Sequence, residues 1–304
     1  MKQRNVLLIV SIISAIVLGA PMVAAQDTNV PQAVVNVERT VLRDAPSHAG
    51  GFVTALSESM QVALRDIDTS GGWFQVETAD GMLGWGRALH FTPLSRARTV
   101  RTLVLFEAPD DPINYVTGVE ENAEVLILQT DETGEWSRVL APDGQTGWME
   151  TRLLRFDYGV AAENNVVLYN WPDSSSGLPT ATLSQMTPVF VKDTLPGGRW
   201  IRVQSGAGEA GWAPINQFVR TDQAVRGVIA LSGSEMANLR SLPAIDAQSP
   251  GTIANGEEVW VAGRDANGRW LLVSSARGQL AWISSGLVEL EPGVGIGSLA
   301  ILVP

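Results

Sequence analysis

Catalysis or metal binding in this 304-residue chain would have to run through very few groups. There are two histidines, His48 and His90, and no cysteine. The acids cluster only as sequence neighbours, at Asp110-Asp111, Glu120-Glu121 and Asp131-Glu132. Neither histidine stands in a metal-ligand spacing, and both read as solvated loop residues. A serine nucleophile needs a positioned base, and no histidine arrangement supplies one. Adjacent acids on extended chain diverge rather than converge, and there is no D-x-D-x-D-G loop. These pairs therefore read as solvated turns, not as acid/base or calcium sites. No glycine-rich phosphate loop opens a helix. The lack of cysteine excludes disulfides, thiolate metal sites, a thiol nucleophile and a lipid-modified N-terminal cysteine. The residues thus point to no enzyme and to no cofactor.

What the chain does carry is aromatic binding chemistry in a regular array. Eight of its ten tryptophans form four pairs, Trp73/Trp85, Trp136/Trp148, Trp200/Trp212 and Trp270/Trp282, each 12 residues apart. Around them recurs the pattern G-x-W-x-x-V-x4-G-x-x-[GA]-W. Its glycine before the second tryptophan is Gly84, Gly147 and Gly211, with Ala281 as the exception. Upstream, a Leu-x-x-x-Pro element recurs at Leu42–Pro46, Leu105–Pro109, Leu168–Pro172 and Leu239–Pro243, and two apolar columns lie between (Leu56, Val119, Leu183, Ile253 and Val62, Val125, Val189, Val259). So many coincident columns define a tandem repeat. The copies span 33–92, 97–156, 158–220 and 224–290. Linkers are short, which predicts a semi-rigid row. An apolar, glycine-punctuated tail follows at 291–304, too short to cross a bilayer.

Each copy reads as short strands. Val125-Leu126-Ile127-Leu128 and Val189-Phe190-Val191 are apolar, β-branched runs bounded by turn residues, and no convincing helical period follows residue 25. Pro142-Asp143-Gly144 fits a type I turn closed by a left-handed glycine, and Asp80-Gly81 and Arg277-Gly278 fill the same place. Asp265-Ala266-Asn267-Gly268, half a calcium loop by composition, aligns as the turn before a strand. Strand alternation sets each first tryptophan on the face opposite its invariant valine. The bulged turn would place the second tryptophan beside the residue two after the first. Both tryptophan columns then share the outer face of one hairpin. Trp73, Trp136, Trp200 and Trp270 are accordingly candidate binding residues, able to stack on a sugar or grip a peptide. The alternative is that they cover the open end of their own fold or pack on the next copy. Gly84, Gly147 and Gly211 are expected where a bulky neighbour crosses closely.

Leu42-Arg43-Asp44-Ala45-Pro46-Ser47, Gly71-Gly72-Trp73-Phe74-Gln75-Val76 and Gly81-Met82-Leu83-Gly84-Trp85 resemble the bacterial SH3-like family, whose pattern is an L-N-V-R-x-x-P opening, a G-W-x-x-V strand and an N-G-x-x-G-W hairpin. Arg240-Ser241-Leu242-Pro243 matches the opening equally well. Phe106 and Tyr169 depart from it by replacing the arginine. The resemblance covers essentially all of the chain after residue 25. It implies an all-β protein of four tandem small SH3-like β-barrels, each partly open with five or six strands. It also implies that the loop holding Trp171, beside Pro172, lines a ligand groove, which makes Trp171 a fifth candidate. The family serves many exported proteins, so it says little about a particular ligand.

Lys2 and Arg4, the apolar run Val6 to Leu18 and the small residues Val23-Ala24-Ala25 form a secretory signal, predicting a mature start at Gln26. As a helix the 13-residue run would span only about 20 Å, short of the roughly 30 Å hydrocarbon core. An uncleaved anchor is the alternative, and the only route to a membrane. Cleavage moves the net charge from −11 to −13, because residues 1–25 hold two cations and no acid. Such a surface repels nucleic acid and anionic polymers unless a local arginine patch exists. The expectation is a non-enzymatic, exported binding protein, extracellular or in the cell envelope. It would recognise cell-wall peptide or glycan, such as peptidoglycan, through repeated weak sites that gain avidity. The competing reading is a protein–protein or adhesion scaffold with the copies as spacers, favoured by their divergent surfaces. Metal ligands and cofactors are expected to be absent.

Overall fold

A computed structural model describes residues 31–303, apart from Gly71, Asp110, Pro112, Asp173, Ser175, Ser176 and residues 196–198. The signal segment 1–25 lies outside the described residues. Seven strands follow Pro31: β1 Gln32–Val35, β2 Arg39–Arg43, β3 Phe52–Ser57, β4 Gln61–Ile67, β5 Trp73–Glu77, β6 Leu83–Arg87 and β7 Phe91–Pro93. They form one antiparallel sheet in the order β3-β2-β6-β5-β4-β1-β7. Strands within Ser95–Arg155 and within Asp157–Thr221 repeat that order in a second and a third seven-stranded sheet. A fourth sheet holds Val225–Ile229, Glu258–Asp265, Trp270–Ser275, Leu280–Ser284 and Val288–Leu290, together with Ile301–Val303. The chain is therefore all-β. Its described helical elements are three-residue 3₁₀ turns, four of them (Ala88–His90, Thr151–Leu153, Ile215–Gln217 and Ser285–Leu287) before the last strand of a repeat.

The central hairpin forms as its residues dictate. Gly81, Gly144, Gly208 and Gly278 have φ of 82°, 82°, 91° and 76°, a conformation only glycine adopts without cost. Each closes its turn by donating its N–H to the carbonyl three residues back, as Gly144 does to Ala141 at 3.0 Å. The resulting register sets Gln75 opposite Trp85, Arg138 opposite Trp148, Arg202 opposite Trp212 and Leu272 opposite Trp282. The second tryptophan thus lies two residues beyond the first on the hairpin's outer face. Phe74 and Val76 point inward and are buried with Leu42, Leu56, Leu64 and Phe91.

The barrel expected from the family resemblance is not closed by hydrogen bonds. β3 and β7 end the first sheet without pairing to each other. Leu56 of β3 and Phe91 of β7 nevertheless share one core, so the sheet curls round and side chains close it. β7 is three residues long and ends in Pro93, which has no N–H to donate. In the fourth repeat Met236–Asn238 and Thr252–Ala254 pair with each other alone. Arg240 links their chain to the hairpin, exchanging backbone hydrogen bonds with Trp282 at 2.7 and 2.8 Å, and Ala237 and Ile253 pack in one core with Leu271, Val273, Ala281 and Ile283.

The sheets do not stand in a simple row. Leu195 and Trp212 of the third sheet's chain enter the core of the first, and Arg199 donates to the Ile67 carbonyl at 3.2 Å. Leu94, Leu126 and Leu140 join the first sheet to the second. Tyr158, Phe190, Leu272 and Trp282 join the third to the fourth. The short linkers favour contact, but the choice of neighbour follows the outward tryptophans, which bury apolar area on whichever sheet they reach. The tail is part of this packing. Ile301–Val303 runs parallel to Arg264–Asp265, and a Cβ at Gly263 would lie 2.6 Å from the Ala300 carbonyl oxygen.

Candidate functional site

The five tryptophans singled out above meet different fates. Trp73 is 8% exposed. His48 covers it edge-on at 5.2 Å and the Arg87 guanidinium lies 5.5 Å from its centre. Trp200 packs edge-on to Tyr169 at 6.1 Å, and both it and Trp171 rest on the core of the first sheet. Trp270 lies among the residues joining the third and fourth sheets. Trp136, half-buried and edge-on to Phe106 at 6.1 Å, lines a groove. His48 is the exposed loop residue expected, and His90, partly buried at the end of a 3₁₀ turn, is not. His48 Nε2 is 2.8 Å from Arg87 Nη1, and His90 Nδ1 is 2.8 Å from the Thr40 hydroxyl. Partial burial and the Arg87 charge lower the His90 pKa.

A local device positions three of the four first tryptophans, Trp73, Trp136 and Trp270. Asp68, Asp131 and Asp265, five residues upstream, accept their backbone N–H at 2.9, 3.0 and 2.9 Å. Sequence reasoning read Asp131 and Asp265 as turn residues and missed that they form a column with Asp68.

The groove measures about 1180 Å³ and runs between the second, third and fourth sheets. No single repeat builds it. Trp136 comes from the second sheet's hairpin, Phe156 and Lys192 from the third sheet's chain, and Arg226 and Trp260 from the fourth. The Arg155 and Arg226 guanidiniums sit 5.3 and 5.4 Å from the centre of the Trp260 ring. Arg155 donates to the Asp222 carbonyl and Asn122 Oδ1 at 3.0 and 3.1 Å. Arg226 donates to the Val100 carbonyl and Glu121 Oε1, both at 3.3 Å. Lys192 Nζ lies 3.3 Å from the centre of Phe156.

Lys192 also lines a second cavity of about 280 Å³, with Arg96, Arg98, Glu124, Asp157 and Asp193. Burial pushes the Lys192 pKa down to about 7, helped by the Arg202 charge. Burial pushes Asp193 up to about 7 against the pull of Arg202 and Arg96. Arg96 Nε stands 3.7 Å from Asp193 Oδ1, too far for a short ion pair to offset that burial. Cations and carboxylates balance here, so this cavity is a charge network joining sheets. Among the described residues, no group of three His, Asp or Glu residues is placed to hold a metal ion.

Trp260 lies outside the paired tryptophans and Lys192 is the only lysine after residue 25, yet nothing in their local sequence marks a site. Arg155, Phe156 and Arg226 carried no signal, since the groove is assembled from repeats that are distant in sequence.

Two family models match the chain. Residues 235–289 match the bacterial SH3 domain and residues 117–155 match the GW (Gly-Tryp) dipeptide domain. No curated protein matches the chain in sequence. Among solved structures, NlpC1 from Trichomonas vaginalis is similar at 10% identity and a TM-score of 0.29, covering 65% of this chain and 91% of its own. NlpC2 from the same organism gives 9%, 0.22, 63% and 96%. An NlpC/P60 family protein from Bacillus cereus gives 14%, 0.18, 69% and 100%. The chain thus carries one stretch similar to a bacterial SH3 domain and one similar to a GW domain.

Proposed function

We propose that this protein is an exported, non-enzymatic binding protein of the cell envelope that grips a wall polymer in the groove between its second, third and fourth sheets. Its four repeats are four SH3-like domains, and its mature chain starts near Gln26. Bacterial SH3 and GW domains are wall-binding modules, which supports a coarse envelope-polymer partner. The observation that carries the reading is the groove. It is too large for one repeat, and it brings together Trp136, Phe156, Trp260 and a set of held cations.

This departs from the expectation of four equivalent weak sites. The equivalents of Trp136 are covered by a histidine, by another sheet's core or at a sheet-to-sheet contact. Three repeats therefore act mainly to build one composite site. The scaffold alternative keeps one favourable observation. The residue packed edge-on to the first tryptophan differs between copies, being His48, Phe106 or Tyr169, so the surfaces are not interchangeable. Co-sedimentation of residues 26–304 with purified sacculi separates the two. Saturable binding that Trp136→Ala weakens supports the wall reading, and absence of binding favours the scaffold.

A further inference from the structure

We infer that the groove is built for an acidic polysaccharide, with its sugar rings against the aromatic lining and its carboxylates on the arginines. This rests on reading the groove as the binding site and adds the chemistry of the occupant.

Charge is the first observation. The whole chain has 32 acids against 21 lysines and arginines. Among the described residues, the groove lining reverses that balance. It has five arginines (Arg101, Arg152, Arg155, Arg226, Arg277) against three acids (Glu135, Glu150, Glu258), with Lys192 only partly charged beside them. A cleft of one sign focuses the field and gathers ligand of the other. An acidic chain that concentrates cations in one cleft has the local patch its overall charge would otherwise deny to an anionic partner.

Preorganisation is the second. The Trp260 ring and acceptors from the second sheet and the 221–224 linker hold Arg155 and Arg226. Each guanidinium has five N–H donors in a rigid fork, so these bonds leave others for a planar carboxylate. Glu121 takes one donor of Arg226 but does not line the groove. Side chains already fixed lose little entropy on binding.

Size and aromatic content are the third. About 1180 Å³ exceeds the roughly 300–1,000 Å³ of small-molecule sites, which calls for an oligomer. Trp136 adds ring surface that a chain of phosphodiesters would not use and that a pyranose would. A neutral glycan, in turn, would leave the remaining guanidinium N–H donors of Arg155 and Arg226 without a charged acceptor. The combination selects a polymer with sugar rings and carboxylates together.

Calorimetry on residues 26–304 tests this with three probes: hexagalacturonate, its methyl ester and polyphosphate of matched charge. The expected order is hexagalacturonate tightest, with the ester weaker by about tenfold or more, the scale of one lost charge-assisted hydrogen bond. Arg155→Gln with Arg226→Gln should cost a similar factor. Trp136→Ala should weaken hexagalacturonate and leave polyphosphate unchanged. Arg277→Glu, on the exposed rim, repeats the charge test without disturbing the packed stack. The inference is overturned if hexagalacturonate fails to bind, if the ester binds equally well, or if polyphosphate binds as tightly and Trp136→Ala changes nothing. Sacculus binding without hexagalacturonate binding removes this inference and leaves the wall reading standing. Hexagalacturonate binding without sacculus binding does the reverse.

Discussion

Replacing Gly147 by valine should destabilise the second sheet through overpacking, at a cost that can be worked from the structure. A Cβ at Gly147 would lie 2.7 Å from the Leu105 Cβ and 3.0 Å from the Phe106 carbonyl oxygen. Carbon atoms pack at about 3.5–4.0 Å, so the strand Leu103–Phe106 would have to move by roughly 1 Å. That strand pairs with the hairpin at the Trp148–Phe106 bridge and buries Leu105 in the core, so it has little freedom to yield. The expected loss is about 1–3 kcal/mol for valine, and less for alanine. Gly144→Ala is the internal control. Gly144 has nothing within 4 Å but a φ of +82°, so its cost is conformational alone, about 1 kcal/mol. Gly144→Asn should recover part of that loss, because asparagine tolerates the left-handed region. Gly147→Asn should instead be worse than alanine. Urea unfolding followed by tryptophan fluorescence on residues 26–304 gives the comparison. An unchanged midpoint for Gly147→Val, or a smaller loss than for Gly144→Ala, would refute the close-crossing argument.

Three further outcomes follow from the same structure. Trp282→Ala should cost about 3–5 kcal/mol, because the ring is fully buried between two sheets and its Nε1 donates to the Met186 carbonyl at 3.1 Å. A Tm within a degree of wild type would contradict that. Asp193, with its pKa raised to about 7, binds its proton more tightly folded than unfolded, so its contribution to stability falls as pH rises from about 4 to 7. Lys192, lowered to about 7, does the opposite, and its contribution rises as pH climbs from about 7 towards 10.5. Denaturation midpoints across pH should therefore show Asp193→Asn flattening the acid limb and Lys192→Met the alkaline one. Equal slopes in wild type and variants would show that neither group titrates as placed. Mass spectrometry of the exported protein should find Gln26 as the first residue, and recovery of only an intact Met1 chain would favour the anchor instead.

The hairpin was legible in the sequence because its determinants are local. A left-handed glycine, a strand alternation and a constant 12-residue spacing specify the register without reference to the rest of the chain. The crossing at Gly84, Gly147 and Gly211 was legible for the same reason: all four copies keep the position small, with Ala281 the largest. Closure of the barrel was not, because it depends on whether edge strands such as Phe91–Pro93 have donors and partners. Which tryptophans would be covered was not legible either. Trp73, Trp136, Trp200 and Trp270 are equivalent in sequence, but their burial depends on the other sheets, whose contacts reach across 132 residues for Arg199 and Ile67. The groove escaped notice because Arg155, Lys192, Arg226 and Trp260 have meaning only once three repeats are brought together.

The absence of native cysteine allows the composite groove to be blocked by design. Ala276→Cys places one thiol on its lining, and Asp246→Cys places one on an exposed loop away from it. Each would be coupled to a bulky polyethylene glycol maleimide and assayed for co-sedimentation with sacculi. The account predicts that the label at position 276 abolishes binding, that the label at 246 leaves it intact, and that both unlabelled variants bind as wild type. Equal binding with either label attached would contradict the claim that this groove holds the wall polymer.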